Sequence, residues 1–212
     1  MKRLTLFCGH YGSGKTNLAV NYALWLRRQG KPAAIADIDI VNPYFRTKDS
    51  QAELEQAGVR VVALPFANTN VDLPALPPEV YALVQSRTDC AVFDVGGDDR
   101  GALALGRYVP SILEENDFDM LYVVNFYRPL TRTPAQALAV LREIEAACGI
   151  PFTGIVNNSN LAEETDVSVI DATRPLAAQL GALADLPVVM TAADERLGLP
   201  DVFPLRLQKK LV

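Results

Sequence analysis

The stretch FCGHYGSGKTNLAV, residues 7 to 20, decides the fold of this chain. Gly9 is followed after four residues by Gly14, Lys15 and Thr16, which is the G-x-x-x-x-G-K-[ST] spacing of a phosphate-binding loop (P-loop). An apolar strand pattern precedes the motif and an amphipathic helix pattern follows it, as a P-loop requires. The stretch therefore predicts a strand, a nucleotide-binding loop and a helix, in that order.

The chemistry of this loop follows from its residue types. Its glycines permit dihedral angles that turn backbone N–H groups toward phosphates, and the helix that begins near Lys15 adds its positive end. Lys15 is predicted to reach the β- and γ-phosphates, and the Thr16 hydroxyl to coordinate Mg²⁺. The residues predicted to contact the nucleotide here are Gly9, His10, Tyr11, Gly12, Ser13, Gly14, Lys15, Thr16 and Asn17.

A second motif, CAVFDVGGDDR at residues 90 to 100, supplies an acidic strand end. Asp94 ends an apolar run and is predicted to hold the magnesium shell. Gly97 has the spacing of a switch glycine whose N–H faces the γ-phosphate. Asp98 and Asp99 either orient water or cap the helix that follows.

A third motif, ADIDIVNPYFR at residues 36 to 46, places two more carboxylates at a strand end. Asp37 and Asp39 alternate along the strand, so their side chains point to the same side. Carboxylates near phosphate repel it unless they bind Mg²⁺-ligated water or accept a proton from the attacking water. The alternative for each is an ordinary helix cap.

The whole-chain pattern predicts an α/β fold. With 212 residues, 50% of them hydrophobic, the chain can bury a sizeable core in one domain, residues 1–212. Short apolar runs alternate with helical patterns, which predicts a single-domain P-loop NTPase with a mostly parallel sheet of about seven strands and helices on both faces. The predicted strands are RLTLFC, AAIADI, VRVVAL, CAVFDV, MLYVVNF, FTGIVNN and LPVVM.

Two further segments have a distinct local pattern. Thr133 and Pro134 predict the N-cap and first turn of a helix that runs to about Ala147, with Gly149 after it. Residues 64 to 80 are rich in proline and asparagine without periodicity, which predicts a long loop.

Charge, hydropathy and cysteine use exclude several classes of protein. A net charge of -5 argues against a nucleic-acid-binding protein, which needs a basic face. No apolar run approaches the length of a bilayer span, and the opening MKRLTLFCGH breaks too early for a signal peptide, so we expect a cytoplasmic protein without stable membrane insertion. Cys8, Cys90 and Cys148 occur singly, which favours inert thiols over a metal site.

The order of these motifs resembles that of the ParA/MinD/Mrp-type P-loop ATPases, a SIMIBI-class group that includes nitrogenase iron protein and the CobQ/CobB-like domains. The resemblance covers nearly the whole chain and is greatest to small bacterial ATP-binding proteins with the segments GHYGSGKT, DIDIVNPYFR and DVGGDD. It implies that ATP or ADP binds with Mg²⁺ and that the P-loop strand lies beside the strand ending at Asp94. It implies that Asn158, or next to it Asn157, reads the adenine edge. The implied catalytic residues are Lys15, Asp39 and Asp37, and the implied metal ligands are Thr16, Asp39 and Asp94.

The P-loop departs from the pattern of this group at two positions. The signature lysine, which in many members crosses an ATP-bound dimer, is replaced by His10, which is shorter and mostly neutral near pH 7. Tyr11 adds bulk where relatives usually have glycine. Both changes act against close packing of two P-loops, so we expect at most a weak homodimer. Arg46 or Arg100 could supply the missing cation.

Two classes of function stay open. The first is a slow ATPase that acts as a nucleotide-dependent switch or assembly factor, in which ATP reshapes the loops at residues 44 to 46, 64 to 80 and 97 to 100 for a protein partner. The second is a small-molecule enzyme, either an ATP-dependent kinase or an amide- or ring-forming ligase. The sequence shows no dedicated substrate motif, which favours the first class.

The C-terminal segment FPLRLQKKLV, residues 203 to 212, mixes leucines with basic residues. Some relatives end in a short amphipathic membrane-targeting helix. Because the apolar positions here are irregular, we expect the segment to dock on the domain instead.

Overall fold

A parallel β-sheet forms the centre of the molecule. The computed structural model describes residues 1–38, 50–63, 78–97 and 105–207. The strands in these residues are β1 (Leu4–Cys8), β2 (Ala33–Asp37), β3 (Arg60–Ala63), β4 (Cys90–Asp94), β5 (Phe118–Val124), β6 (Gly154–Asn157), β7 (Val188–Asp194) and β8 (Phe203–Leu205). All eight are parallel, and their order across the sheet is β3, β2, β4, β1, β5, β6, β7, β8.

Helices cover both faces of this sheet. Those of the described residues are α1 (Lys15–Arg28), α2 (Gln51–Gln56), α3 (Pro78–Gln85), α4 (Val109–Glu115), α5 (Pro134–Cys148) and α6 (Val167–Ala184). The apolar sides of α1 and α2 pack in the core on one face, and those of α3 to α6 pack in the core on the other. Within the part of the chain that the structure describes, no helix is long and apolar enough to cross a bilayer.

The predicted fold class is confirmed, because each of the seven predicted strands is present in a parallel sheet with helices on both faces. The eighth strand, β8, comes from the C-terminal segment, whose expected docking is thereby confirmed for residues 203 to 205. The prediction of a loop through residue 80 is wrong at its end. Helix α3 begins at Pro78, a residue suited to a first helical turn, and buries Val80 and Leu83. Residues 64–77 lie outside the described part.

Local signals set the ends of the best-predicted helices. Helix α1 begins directly after Gly14, whose φ of 84° is left-handed. Helix α5 begins with a capping box in which the Thr133 hydroxyl accepts from the Gln136 N–H and the Gln136 side chain accepts from the Thr133 N–H. It ends at Gly149, as predicted.

The topology brings several strand ends to one edge of the sheet. Strand β1 lies between β4 and β5, so the implied adjacency of the P-loop strand and the Asp94 strand is confirmed. The chain passes from β1 to β2 on one side and from β4 to β5 on the other, which makes the carboxyl end of β1 a topological switch point. Such points are where open α/β sheets bind ligands.

Candidate nucleotide-binding site

The P-loop connects β1 to α1 at this edge. The backbone N–H of Ser13 donates to the His10 carbonyl oxygen at 3.1 Å, and the N–H of Leu18 donates to the Gly14 oxygen at 3.1 Å. Helix α1 has no acidic side chain in its first turn, so its positive end faces the loop without a competing carboxylate from that turn. The loop and the helix terminus together form an anion-binding concavity.

Close contacts, two of them with backbone and one with a side chain, explain three of the glycines around the loop. A Cβ atom on Gly9 would lie 2.2 Å from the Val123 carbonyl oxygen, and one on Gly97 would lie 1.9 Å from the Gly9 oxygen. A Cβ atom on Gly14 would lie 2.5 Å from the Asn158 Nδ2 atom. The segment after β4 is therefore packed directly on the P-loop, and the cradle keeps its shape only with glycine at these positions.

Two of the predicted carboxylates lie beside the loop. Asp37 on β2 and Asp94 on β4 are register partners, and Asp94 also pairs with Phe7 on β1. Phe7 packs in the core on the α1 face, so both carboxylates point to the face where Lys15 begins α1. Asp94 is buried and Asp37 half-buried. Asp39 lies outside the described residues, and its predicted catalytic and metal-binding roles stay predictions.

The two consecutive asparagines at the end of β6 point in different directions. Asn158 Nδ2 donates to the Ser13 carbonyl oxygen at 2.7 Å, which ties this strand end to the P-loop. The Asn157 side chain instead donates to Thr173 Oγ1 on α6 and accepts from Ser159 Oγ. The structure thus brings Asn158, and not the Asn157 side chain, into contact with the loop.

Asparagine side chains continue this network away from the P-loop. Asn160 Nδ2 donates to Asn158 Oδ1 at 2.9 Å. Asn125, which follows β5, donates from Nδ2 to the Asn160 carbonyl oxygen at 3.1 Å. The loops after β1, β5 and β6 are therefore joined by side-chain amides.

One residue of the site is not predicted by any sequence motif. Arg128 follows β5, and its Nε donates to the Gly12 carbonyl oxygen at 2.8 Å. No spacing rule relates a residue after β5 to the P-loop, and the contact arises only because β5 lies beside β1.

The two unusual P-loop residues lie at its tip. The His10 ring places Nδ1 3.0 Å from the Tyr11 carbonyl oxygen, and so turns back on the loop itself. The Tyr11 side chain is 67% exposed. Arg46 and Arg100, the other cations considered for this position, lie outside the described residues.

A cavity of about 900 Å³ extends from the P-loop to the end of β6. This volume is within the range of small-molecule and cofactor sites. One end is formed by the P-loop, and the rest is lined by amide, apolar and acidic side chains. The lining residues are Gly12, Ser13, Gly14, Asn17, Asn125, Arg128, Asn158, Asn160, Leu161, Ala162, Glu163, Glu164, Leu205 and Leu207.

The residues present fit a nucleotide with its phosphates in the P-loop. Gly9 and Gly97 have no room for a Cβ atom, and the Ser13 hydroxyl, although buried, has no hydrogen-bond partner among the described residues. A polar atom of this kind is expected where a ligand supplies the partner. Those residues contain no cluster of three or more His, Cys, Asp or Glu side chains that could hold a metal ion. A magnesium site here would therefore rest on Thr16, Asp94 and the phosphates, with Asp39 still to be placed.

Two ion pairs lie in a second pocket, which shares Glu163 and Leu207 with this cavity. Burial raises the pKa of Asp194, but the hydrogen bonds it accepts from Arg196 outweigh burial, and its pKa is lowered overall. Arg206 donates to Glu195 at 2.9 Å. The carboxylates of Asp194 and Glu195 are thus neutralised locally.

Comparison with known proteins identifies the fold. No protein-family model matches the chain, and no curated protein matches it. Among solved structures, cell division protein FtsY from Thermotoga maritima superposes with a TM-score of 0.60 at 16% identity, over 95% of this chain and 64% of that one. Chloroplast FtsY from Physcomitrella patens gives a TM-score of 0.63 at 17% identity, over 92% and 59%.

A third similar structure was solved with a nucleotide. Signal recognition particle receptor FtsY from Elizabethkingia anophelis, in complex with GDP, gives a TM-score of 0.54 at 16% identity, over 99% of this chain and 61% of that one. The chain thus spans less than two thirds of each of these three proteins. At such identities the likeness shows the fold alone, an α/β fold like that of P-loop NTPases. It does not test the resemblance to the ParA/MinD/Mrp type.

Proposed function

We propose that this protein binds ATP with Mg²⁺ and, as a slow ATPase, acts as a nucleotide-dependent switch for a protein partner. The observation that carries the proposal is the hydrogen bond from Asn158 to the Ser13 carbonyl oxygen. It joins a phosphate cradle to an amide-lined wall within one cavity of nucleotide size.

The choice of adenine over guanine rests on the residues after Asn158. A guanine-reading N-K-x-D pattern that began at Asn158 would place lysine at 159 and aspartate at 161, whereas the chain has Ser159 and Leu161. The aspartate that accepts from the guanine N1–H and amino group in that pattern is thus replaced by Leu161, which lines the cavity. Glu163 and Glu164 also line the cavity, so the proposal of adenine rests on the missing pattern and not on a lack of acceptors.

The roles of the P-loop residues follow from their positions. Lys15 supplies the charge that holds the β- and γ-phosphates, and Thr16 and Asp94 hold Mg²⁺ at the boundary of α1 and β4. Asp39, with Asp37 as companion, orients or deprotonates the attacking water. Bound Mg²⁺ supplies the positive charge that stabilises the phosphates during transfer.

A switch fits the way the segment after β4 is packed. Gly97 lies against the Gly9 backbone, so a change in the backbone of the P-loop acts directly on the segment after β4 at this glycine. The segments after β2 and β3 also leave the sheet at this edge, because all strands are parallel. A partner that docks at this edge therefore has access to the loops that respond to ATP.

Two substitutions test the assignment. Lys15→Ala should abolish ATP binding, since it removes the main cation of the cradle. Asp39→Asn should retain binding and lose turnover by at least about a hundredfold, the usual contribution of general base catalysis. Calorimetry measures binding and phosphate release measures turnover, with Lys2→Ala, an exposed lysine before β1, as the matched control. An Asp39 variant as fast as the parent would show that Asp39 has no catalytic role.

A further inference from the structure

Arg128 lies against the tip of the P-loop. Besides the 2.8 Å bond from its Nε to the Gly12 oxygen, its Nε, Cζ and Cδ atoms lie 3.3, 3.5 and 3.6 Å from the point where a Gly12 Cβ would be. The guanidinium is therefore packed within van der Waals distance of this glycine.

The bonded carbonyl shows on which side of the loop Arg128 lies. A P-loop turns its N–H groups inward to the phosphates, so its carbonyl groups point outward. A guanidinium bonded to the Gly12 carbonyl lies outside the phosphate cradle. Its charge is therefore not positioned as a phosphate ligand.

The turn that carries Arg128 forms a wall of the cavity. Asn125, at the start of this turn, donates to the Asn160 oxygen, so the turn spans from the P-loop to the loop after β6. Arg128 lines the cavity together with Asn158 and Leu161. Among the described residues its Nη atoms have no hydrogen-bond acceptor, so the outer part of the guanidinium is available to a ligand.

We propose that the guanidinium plane of Arg128 is the face on which the base of the bound nucleotide stacks. This inference rests on the proposed nucleotide-binding function. Planar guanidinium groups stack on aromatic rings, and the bond from Nε to Gly12 fixes this plane before the ligand arrives. Stacking is tolerant of base identity, so Arg128 contributes to affinity while Asn158 and Leu161 set the preference for adenine.

The test compares a nucleotide with its phosphates alone. Mg-ADP, Mg-GDP and Mg-pyrophosphate are titrated by calorimetry into the parent, Arg128→Met and Arg128→Lys, with Arg132→Met as the control. Arg132 is exposed in the same turn and does not line the cavity. Arg128→Met should lower the affinities for ADP and GDP by about tenfold each and change the affinity for pyrophosphate by less than about twofold. Arg128→Lys keeps the charge but loses the plane, so it should also weaken ADP several-fold, and Arg132→Met should change nothing.

Two results would overturn the inference while leaving the proposed function intact. Equal losses for ADP and pyrophosphate would show that Arg128 acts through the P-loop or on the phosphates. Unchanged ADP affinity in a folded Arg128→Met variant would show that the nucleotide base does not stack on Arg128. If that variant does not fold, the same comparison on Arg128→Lys decides. A parent protein that binds none of the three ligands would overturn both the inference and the proposed function.

Discussion

At the scale of single residues, the contacts around the P-loop explain a requirement for glycine that its sequence motif does not explain. The sequence predicts Gly97 from its spacing after Asp94, as a sensor of the γ-phosphate. The structure adds an independent reason for glycine there, because the Gly9 carbonyl occupies the place of a Cβ atom. The packing on Gly9 and the predicted sensing of the γ-phosphate thus both require glycine at position 97.

Gly97→Ala should therefore damage the P-loop. The new methyl group forces the Gly9 backbone away, which should cost about 1–3 kcal/mol of unfolding free energy and abolish tight nucleotide binding. Gly106→Ala is the matched control, since a Cβ there meets only the Cys148 oxygen at 3.9 Å. Urea unfolding and calorimetry measure the two effects. A Gly97 variant with parental stability and affinity would contradict the described packing.

The position of a candidate site residue in the fold was predictable where it belongs to a motif with fixed spacing, while its role in binding stays a prediction. Lys15, Thr16 and Asp94 are of this kind, because the loop and the adjacent strand end fix their positions relative to each other. Arg128 is not, since only the order of strands in the sheet brings it to Gly12. The sequence also leaves Asn157 and Asn158 in doubt, because neighbouring residues at a strand end point to opposite sides and the pattern does not set which side faces the loop.

At the scale of elements, helices α1 and α5 were predicted because both have clear apolar periodicity and end signals. Strands β3 and β6, with four residues each, were predicted from their apolar runs, whereas the 18-residue helix α6 and the strand β8 were not predicted. Strand β8 has three residues, too few for periodicity. It is recognised only by its contacts. Phe203 packs against Tyr22 and Trp25. The Asn21 side chain donates to the Arg206 carbonyl oxygen and accepts from the Arg206 N–H.

An ion pair that the sequence does not predict lies at the amino-terminal ends of the strands, opposite the candidate site. Arg3, just before β1, pairs with Glu115 at the end of α4, and their side chains are only 9% and 13% exposed. Arg3 also donates to the carbonyl oxygens of Leu83, Val84 and Asp89. It thereby connects α3, α4 and the start of β4.

Arg3→Met should destabilise the fold without affecting the site. Removal of the guanidinium leaves Glu115 and three carbonyl groups without their partner, which should cost about 3 kcal/mol of unfolding free energy. Lys2→Met is the control, because Lys2 and Asp117 form an exposed pair at 3.9 Å whose loss should change stability by less than about 1 kcal/mol. Thermal unfolding and ADP titration are the measurements. Equal effects of the two variants on stability, or a loss of ADP affinity in Arg3→Met, would argue against this account of the edge.

At the scale of the whole molecule, the amino-terminal and carboxyl ends of the strands differ in function: the first stabilises the fold and the second carries the candidate site. The N-terminal edge is anchored by Arg3, while the carboxyl edge carries the P-loop, the carboxylates and the amide network. The P-loop tip exposes Tyr11 and turns the His10 ring back on the loop, so His10 does not extend toward a second copy of the chain as the signature lysine would.

ATP-driven dimerisation should therefore be weak. Light scattering should give the same mass for the parent with Mg-ADP and with a non-hydrolysable ATP analogue. His10→Lys restores a long cation at this position and should favour a dimer with the triphosphate, whereas the control His10→Ala should not. A parent that passes from monomer to tight dimer on triphosphate alone would refute the proposal that a different protein reads the nucleotide.

The proposed function depends most on the selection of an adenine nucleotide by the cavity that the P-loop and Asn158 line. Calorimetric titration of the purified protein with ATP, ADP, GTP and GDP, each with Mg²⁺, tests it most directly. We expect ATP and ADP to bind more tightly than GTP and GDP, because the chain has no guanine-reading N-K-x-D pattern at Asn158. Binding of the guanine nucleotides with equal or higher affinity would contradict the account.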